Sequence, residues 1–181
     1  MAQKLNSMTP IPVVFDTDIG SFADDSLALA LALLSPELDV RLVLTTSGDV
    51  RARAQVAALQ LQLSGRDDVA VGIGVGSEPH SASEPLFAYS AHVDLGTYRG
   101  GVTVDGVGAA AAAILSSGRS DWVVLQLGPA STMAELIRRY PQVAPRARLV
   151  AMGTSICSGI RLPWGSITPL AATNERRDVR L

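Results

Sequence analysis

The sequence has very little cysteine, few aromatic residues and no strong excess of charge of either sign. Its single cysteine, Cys157, excludes a disulfide framework or a cysteine-based zinc site, and we interpret it as a small buried hydrophobic residue. Aromatic residues make up only 4% of the chain, which argues against a surface for stacking single-stranded bases. A net charge of −2 argues against a general nucleic-acid-binding protein, because such proteins normally carry a basic face.

Long apolar runs are also missing. No run reaches the roughly 18 residues that a membrane span requires, and residues 1–10 lack the apolar segment of a signal peptide. We therefore expect a soluble, cytoplasmic protein with no membrane partner. The 181 residues are 48% hydrophobic, which suits a single domain over 1–181 with residues 1–10 as a flexible N-terminus.

Strand patterns and helix patterns alternate along the chain. Short apolar runs predict strands at 11–15, 40–45, 69–73, 122–127 and 148–152, and longer patterns predict helices at 24–35, 50–64, 107–116 and 130–140. This alternation predicts an α/β fold with a mostly parallel sheet flanked by helices. Residues 74–98 have no clear period and read as a long loop, and little regular structure is predicted after residue 152.

The first predicted helix is ambiguous, because leucine and alanine alternate through it with the period of a strand. Both residues favour helices, the run is long for a strand, and acidic residues stand at its start. We predict a helix that is apolar on all sides and therefore buried.

Four carboxylates lie close together in the sequence after the first predicted strand: Asp16, Asp18, Asp24 and Asp25. Two such charges 5 Å apart repel by roughly 3 kcal/mol at an effective dielectric constant near 20, so the group favours a nearby cation. Oxygen ligands on a flexible loop suit Ca²⁺ or Mg²⁺. The alternative is that these residues cap the helix or are solvated acids of a turn.

Small polar residues and glycines follow other predicted strands, at the segments 45–49, 127–129 and 152–155. In a parallel sheet the ligand lies beyond the carboxyl ends of the strands, which is where these segments meet. The turn after residue 127 would direct a backbone carbonyl toward a cation. His80 and His92 both lie in the long loop, and we interpret them as surface histidines.

The segment from Val13 to Val40 resembles the amino-terminal signature of the inosine/uridine-preferring nucleoside hydrolases, a strand followed by Asp-x-Asp-x-Gly-x-Asp-Asp. In this chain two additional residues separate Gly20 from the pair of aspartates. The similarity continues through the segments 45–49, 123–129, 133–140, 150–155 and 167–179. It therefore covers nearly the whole chain and implies the α/β fold of that family.

The resemblance implies a ribonucleosidase that uses Ca²⁺ and cleaves a nucleoside into ribose and free base. By position, the implied calcium ligands are Asp18, Asp25 and the backbone carbonyl of Leu127, and Asp18 is also the implied base that takes a proton from the attacking water. The other implied roles are substrate binding by Asp24, Asp49 and Asn174, and support of the loop by Asp16. The resemblance also implies self-association, since members of the family are often dimers or tetramers.

The chain departs from the family pattern in several places. Asp49 replaces the usual asparagine, Ala172 replaces a glutamate, and the late His-Asp pair of the family is missing. We therefore expect a C-terminally shortened member. Two alternatives to a working hydrolase are a catalytically impaired homologue that binds ribosides, calcium or a protein partner without turnover, and a truncated gene product.

Overall fold

We describe a computed structural model of the protein over residues 9–77 and 87–152, together with the backbone of two short strands further along the chain. The predictions for Cys157, Asn174, Ala172, His80 and residues 1–8 concern positions outside the described residues. Within the described residues the eight strands are β1 Ile11–Thr17, β2 Leu38–Thr45, β3 Ala70–Ile73, β4 Val102–Thr103, β5 Trp122–Gln126, β6 Ala147–Ala151, β7 Arg161–Leu162 and β8 Gly165–Ser166. The helices are α1 Ala23–Leu34, α2 Val50–Leu63, α3 Phe87–Ser90, α4 Gly106–Ser116 and α5 Ser131–Arg139, with a 3-10 turn at Pro141–Val143.

The first six strands form one parallel sheet in the order β4-β3-β2-β1-β5-β6. This confirms the predicted α/β fold. The chain builds outward from β1 through β2 and β3 to β4 at one edge, and then returns to the other side of β1 to add β5 and β6. β1 is therefore the strand from which both halves of the sheet extend.

Each face of the sheet is covered by its own hydrophobic core. Successive strand side chains point to opposite faces, so Val13 packs with one core and Val14 with the other. The first core takes buried residues of α1 and α2, such as Leu29 and Leu61, and the second takes residues of α4 and α5, such as Ile114. The central strand β1 is buried on both faces, which explains why its sequence is a run of apolar residues rather than an alternating one, whereas the edge strand β6 is largely exposed.

The prediction that α1 is buried on all sides is wrong. Leu29 is fully buried, whereas Leu27, Leu31 and Leu34 are 70%, 69% and 81% exposed. A period of two places the leucines all around a helix, and α1 lies on the surface of the sheet with one face toward the core. The outer leucines therefore face solvent.

The predicted strands and helices are otherwise found within a few residues of their expected limits. The first strand is two residues longer than predicted, so Asp16 and Thr17 belong to β1 rather than to the loop after it. The predicted long loop at 74–98 contains α3, and β4 and the 3-10 turn were not predicted. β7 and β8 form an antiparallel pair where little regular structure was expected.

None of the helices among the described residues is long and apolar enough to cross a membrane.

Candidate active site

The candidate site lies at the carboxyl ends of β1, β2 and β5, where the two halves of the sheet diverge. Ligands of such sheets occupy the crevice at this reversal of strand order. The N–H of Leu127 donates to the carbonyl of Asp16 at 2.8 Å, and the N–H of Thr46 donates to the carbonyl of Thr17 at 3.0 Å. The connection after β1 is thus held between those after β2 and β5, so the predicted polar segments at these three strand ends do come together.

Gly128 allows the connection after β5 to approach the loop that carries Asp18. A Cβ atom at Gly128 would lie 2.4 Å from Cγ2 of Thr46 and 2.9 Å from the backbone nitrogen of Asp18. Both distances are shorter than a real Cβ contact, so a larger residue would push the two segments apart. The absence of a side chain here brings the backbone around Leu127 against the β1–α1 loop.

Asp25 lies in the first turn of α1 and is only 7% exposed. Its Oδ1 accepts a hydrogen bond from the hydroxyl of Thr17 at the end of β1, and the same hydroxyl accepts the N–H of Ile19 at 3.1 Å. The N-cap position of α1 is Phe22, whose side chain makes no capping hydrogen bond, so Asp24 and Asp25 lie inside the helix. Asp25 is therefore a buried acid tied to β1 rather than a solvated acid of a turn.

Burial raises the pKa of Asp25 from its ordinary value of 3.8 to about 6. The hydrogen bond from Thr17 and the positive charge of Arg53 lower this pKa, and the negative charges of Asp18 and Asp24 raise it. Asp25 still carries a negative charge at neutral pH. Asp18 and Asp24 therefore lie close enough to Asp25 for their charges to disfavour its ionisation.

The remaining acids of the cluster differ in exposure. Asp18 is half-buried in the turn after β1, Asp24 is exposed at the start of α1, and Asp16 is fully buried within β1. Because strand side chains alternate, Asp16 lies on the opposite face of β1 from Thr17. Asp18 and Asp24 act on the charge of Asp25, and we refer to these three residues as the acidic cluster, whereas Asp16 is set apart on the other face of β1.

Arg53 of α2 is a central residue of this region that the sequence interpretation did not identify. It is 1% exposed, and its Nε donates to the carbonyl of Ser47 at 2.8 Å. Its Nη1 donates to the carbonyls of Asp18 and Ile19 and contacts the hydroxyl of Ser21. The signal in the sequence is a charged residue at position 53 among the alanine, valine and leucine residues that form the buried face of α2.

Asp49 is exposed at the N-terminus of α2, where its Oδ1 accepts the N–H groups of Arg51 at 3.1 Å and Ala52 at 3.0 Å. The structure therefore places it as the N-cap of this helix. His92 is exposed, as expected. Asn174 lies outside the described residues.

The donor atoms in this region fit a divalent cation in part. Asp18 lies near enough to Asp25 for its charge to raise the pKa of that acid, and the tight approach at Gly128 brings backbone from the β5–α5 connection against the backbone of Asp18. Within residues 9–77 and 87–152, no group of three or more His, Cys, Asp or Glu side chains is arranged to hold a metal ion. A hard cation such as calcium or magnesium would therefore need further oxygen ligands from backbone, water or substrate.

Residues 13–179 match the sequence model of a family described as "Inosine-uridine preferring nucleoside hydrolase". The chain is 32% identical over 164 residues to the non-specific ribonucleoside hydrolase RihC of Klebsiella pneumoniae, covering 82% of this chain and 51% of the relative. It is 27% identical over 187 residues to the pyrimidine-specific ribonucleoside hydrolase RihA of Salmonella newport, covering 91% and 53%.

The solved structure of an inosine-uridine preferring nucleoside hydrolase from Bacillus anthracis superposes with a TM-score of 0.63 at 17% identity, and the match covers 84% of this chain and 54% of that one. This likeness shows a shared fold. The chain spans about half the length of the curated relatives that it matches. Since the family model matches all but the ends of the sequence, the chain belongs to the inosine-uridine preferring nucleoside hydrolase family.

Proposed function

We propose that this protein hydrolyses the N-glycosidic bond of a ribonucleoside and releases ribose and the free base. The observation that carries the proposal is the placement of Asp18, and of the buried Asp25 that Thr17 holds, at the end of β1 where the two halves of the sheet diverge. Membership of the family and the names of its ribonucleoside hydrolases support the same reaction. The proposal includes a cytoplasmic location, in keeping with the single cysteine of the chain.

In this proposal the cofactor is Ca²⁺, held by Asp18, Asp25 and the backbone carbonyl of Leu127. Calcium, when bound, supplies positive charge that acidifies water and offsets the repulsion within the acidic cluster. Asp18 accepts the proton of the attacking water at its carboxylate. A carboxylate beside a sugar that develops oxocarbenium character also stabilises the positive charge of the transition state.

Asp24, Asp49 and Asn174 orient the substrate in this proposal. Asp24 is exposed beside Asp25, which suits a hydrogen bond to a ribose hydroxyl. Asp49 and Asn174 complete the substrate-binding set of the proposal, and buried Asp16 supports the loop through its backbone contact with Leu127. Self-association of the chain is also proposed, from its family alone.

The experiment is a turnover assay on the purified chain with inosine and uridine, in which release of the base is followed by chromatography. Calcium chelation should abolish release, and added calcium should restore it. Asp18→Asn should lower the rate by about 10²–10⁴-fold, the usual contribution of a general base. Asp121→Asn is the matched control, because Asp121 is an exposed acid that precedes β5 at the other end of the sheet.

A second candidate function is binding of a riboside, calcium or a protein partner without turnover. Its riboside-binding and partner-binding forms are favoured by the finding that, within residues 9–77 and 87–152, no group of three or more His, Cys, Asp or Glu side chains is arranged to hold a metal ion. Calcium or ribose binding without any release of base over long incubation would support this candidate. Absence of calcium binding, ribose binding and turnover would overturn the hydrolase function and the riboside-binding and calcium-binding forms of the second candidate.

A further inference from the structure

We propose that Arg53 is the positioning residue of the candidate active site. Its buried guanidinium fixes the backbone of the connection that carries Asp18, and so fixes where the Asp18 carboxylate points. The inference rests on the proposed function for the role of Asp18, but the positioning itself is a property of the folded chain.

The geometry of Arg53 joins two separate connections. Its Nε donates a hydrogen bond to the carbonyl of Ser47 in the connection after β2. Its Nη1 donates to the carbonyls of Asp18 and Ile19 in the connection after β1. The planar guanidinium presents several N–H groups in a fixed fork, which suits acceptors on two segments at once. One side chain thus joins these two segments of the site, in addition to the backbone hydrogen bond between Thr46 and Thr17.

The burial of Arg53 indicates that this arrangement is not incidental. Only 1% of the residue is exposed, and the other buried residues of α2 are apolar or small, among them Ala54, Ala57 and Leu61. Removing a guanidinium from water is costly unless its N–H groups find acceptors. Here backbone carbonyls of the site loops are those acceptors, so the loops are held in the positions that satisfy the charge.

The backbone beside these acceptors is in unusual conformations. Ser47 has a φ of 68° and Gly20, next to Ile19, has a φ of 119°. A non-glycine residue in the left-handed region is costly and persists only when its surroundings fix it. The hydrogen bond from Arg53 to the carbonyl of Ser47 is such a fixing contact.

The ring of Phe87 covers the same group from α3. The Arg53 guanidinium lies 5.6 Å from the centroid of this ring, within the range of a cation–π contact. A Cβ atom at Gly20 would lie 2.6 Å from Cε1 of Phe87, so the ring also rests on the β1–α1 loop. Arg53 is therefore enclosed between the ring and the loops that it holds.

The test compares Arg53→Met and Arg53→Lys with wild type in the full chain, and uses Arg51→Met as a matched control on the exposed face of α2. Calcium affinity is measured by titration calorimetry without nucleoside. Local opening is measured by amide hydrogen exchange in peptides that cover residues 18–21 and 46–48. Arg53→Met should weaken calcium binding by about 10-fold to 100-fold, as loss of a supporting contact does at other metal sites, and should speed exchange in both peptides.

Arg53→Lys keeps the positive charge. If Arg53→Met does not fold, the comparison is made between Arg53→Lys and wild type. A compact ammonium cannot reach acceptors on both connections, so calcium affinity and exchange in Arg53→Lys should lie between those of wild type and Arg53→Met. Arg51→Met should match wild type.

Wild-type calcium affinity and wild-type loop exchange in the folded Arg53→Lys variant would overturn the proposal. A lower unfolding temperature with faster exchange spread evenly over α2 would also overturn the proposal. That result would mean that Arg53 stabilises the helix as a whole and does not position the two connections. Both readouts are taken without nucleoside. A wild-type chain that releases no base would overturn the proposed function and leave this test intact, and if that chain binds no calcium, loop exchange alone decides.

Discussion

The hydroxyl of Thr17 donates a hydrogen bond to the buried carboxylate of Asp25, and this contact links the last residue of β1 to the first turn of α1. The two residues are eight positions apart, with the turn that carries Asp18 between them. The contact therefore closes the loop of the candidate active site on itself. It also places an acid where burial disfavours its charge, which makes the local stability depend on pH.

Thr17→Val should raise the pKa of Asp25 above about 6, because the hydrogen bond that lowers it would be lost. The variant also leaves the N–H of Ile19 without this acceptor, so the free energy of unfolding should fall by about 1–3 kcal/mol. The pKa is measured from the carboxyl carbon shift of Asp25 by NMR, and stability by urea unfolding. Thr97→Val is the control, since Thr97 is exposed and its hydroxyl bonds only within a surface turn. An unchanged pKa of Asp25 would contradict the contact.

The raised pKa of Asp25 predicts a loss of stability as pH rises. The folded state binds the proton of Asp25 more tightly than the unfolded chain, whose pKa is near 3.8. Relative to Asp25→Asn, wild type should therefore lose up to about 3 kcal/mol of unfolding free energy between about pH 4 and pH 7, with the change centred below the folded pKa. Urea unfolding of both proteins across this range measures it. Calcium should reduce the loss in wild type, because it binds the folded state. It should not do so in Asp25→Asn, which lacks this proposed calcium ligand. Parallel profiles for the two proteins would refute the burial of the charge.

The order of strands and helices was predictable, because strands buried on both faces are short apolar runs and the turns between them carry glycine, proline and acids. The approach of the connections after β1, β2 and β5 was also predictable, because the carboxyl ends of neighbouring parallel strands lie at one edge of the sheet. The roles of Asp18, Asp25 and Leu127 at that edge stay predictions. β4 was missed since two residues between turns give no period. The exposure of Leu31 was missed because composition alone does not show which side of a helix contacts the sheet.

Arg53 shows a different limit of the sequence. The acceptors of its hydrogen bonds are backbone carbonyls, which every residue has. The residue types at positions 18, 19 and 47 therefore do not predict the contact. Only the fold brings the β1–α1 and β2–α2 connections within reach of one side chain. Side chains that act on backbone are therefore the part of this site that sequence patterns reveal least.

Two substitutions of Asp49 can separate its role as the N-cap of α2 from its proposed role in substrate binding. Asparagine caps helices as well as aspartate does, so Asp49→Asn should leave the unfolding free energy within a few tenths of a kcal/mol, whereas Asp49→Ala should lower it by about 1 kcal/mol. If Asp49 contacts the substrate as proposed, Asp49→Asn should change KM without a change in stability. Steady-state kinetics and urea unfolding on the same preparations test both. Equal losses of stability in the two variants would show that the N-cap hydrogen bonds do not account for the contribution of Asp49 to stability.

Gly128→Ala tests the close approach that brings the β5–α5 connection to Asp18. Its Cβ would meet Cγ2 of Thr46 at 2.4 Å and the backbone nitrogen of Asp18 at 2.9 Å, so the variant should lose about 1–3 kcal/mol of stability. Thr46→Ser removes the nearer atom, and the double variant should therefore be more stable than the sum of the single losses predicts. Gly118→Ala is the control, because nothing lies within 4 Å of its Cβ position and its only cost is a φ of 67°. Calcium affinity should fall in Gly128→Ala and not in Gly118→Ala, since only the first displaces the backbone next to Asp18. Strict additivity with Thr46→Ser, measured by urea unfolding, would mean that the two segments do not meet at this point.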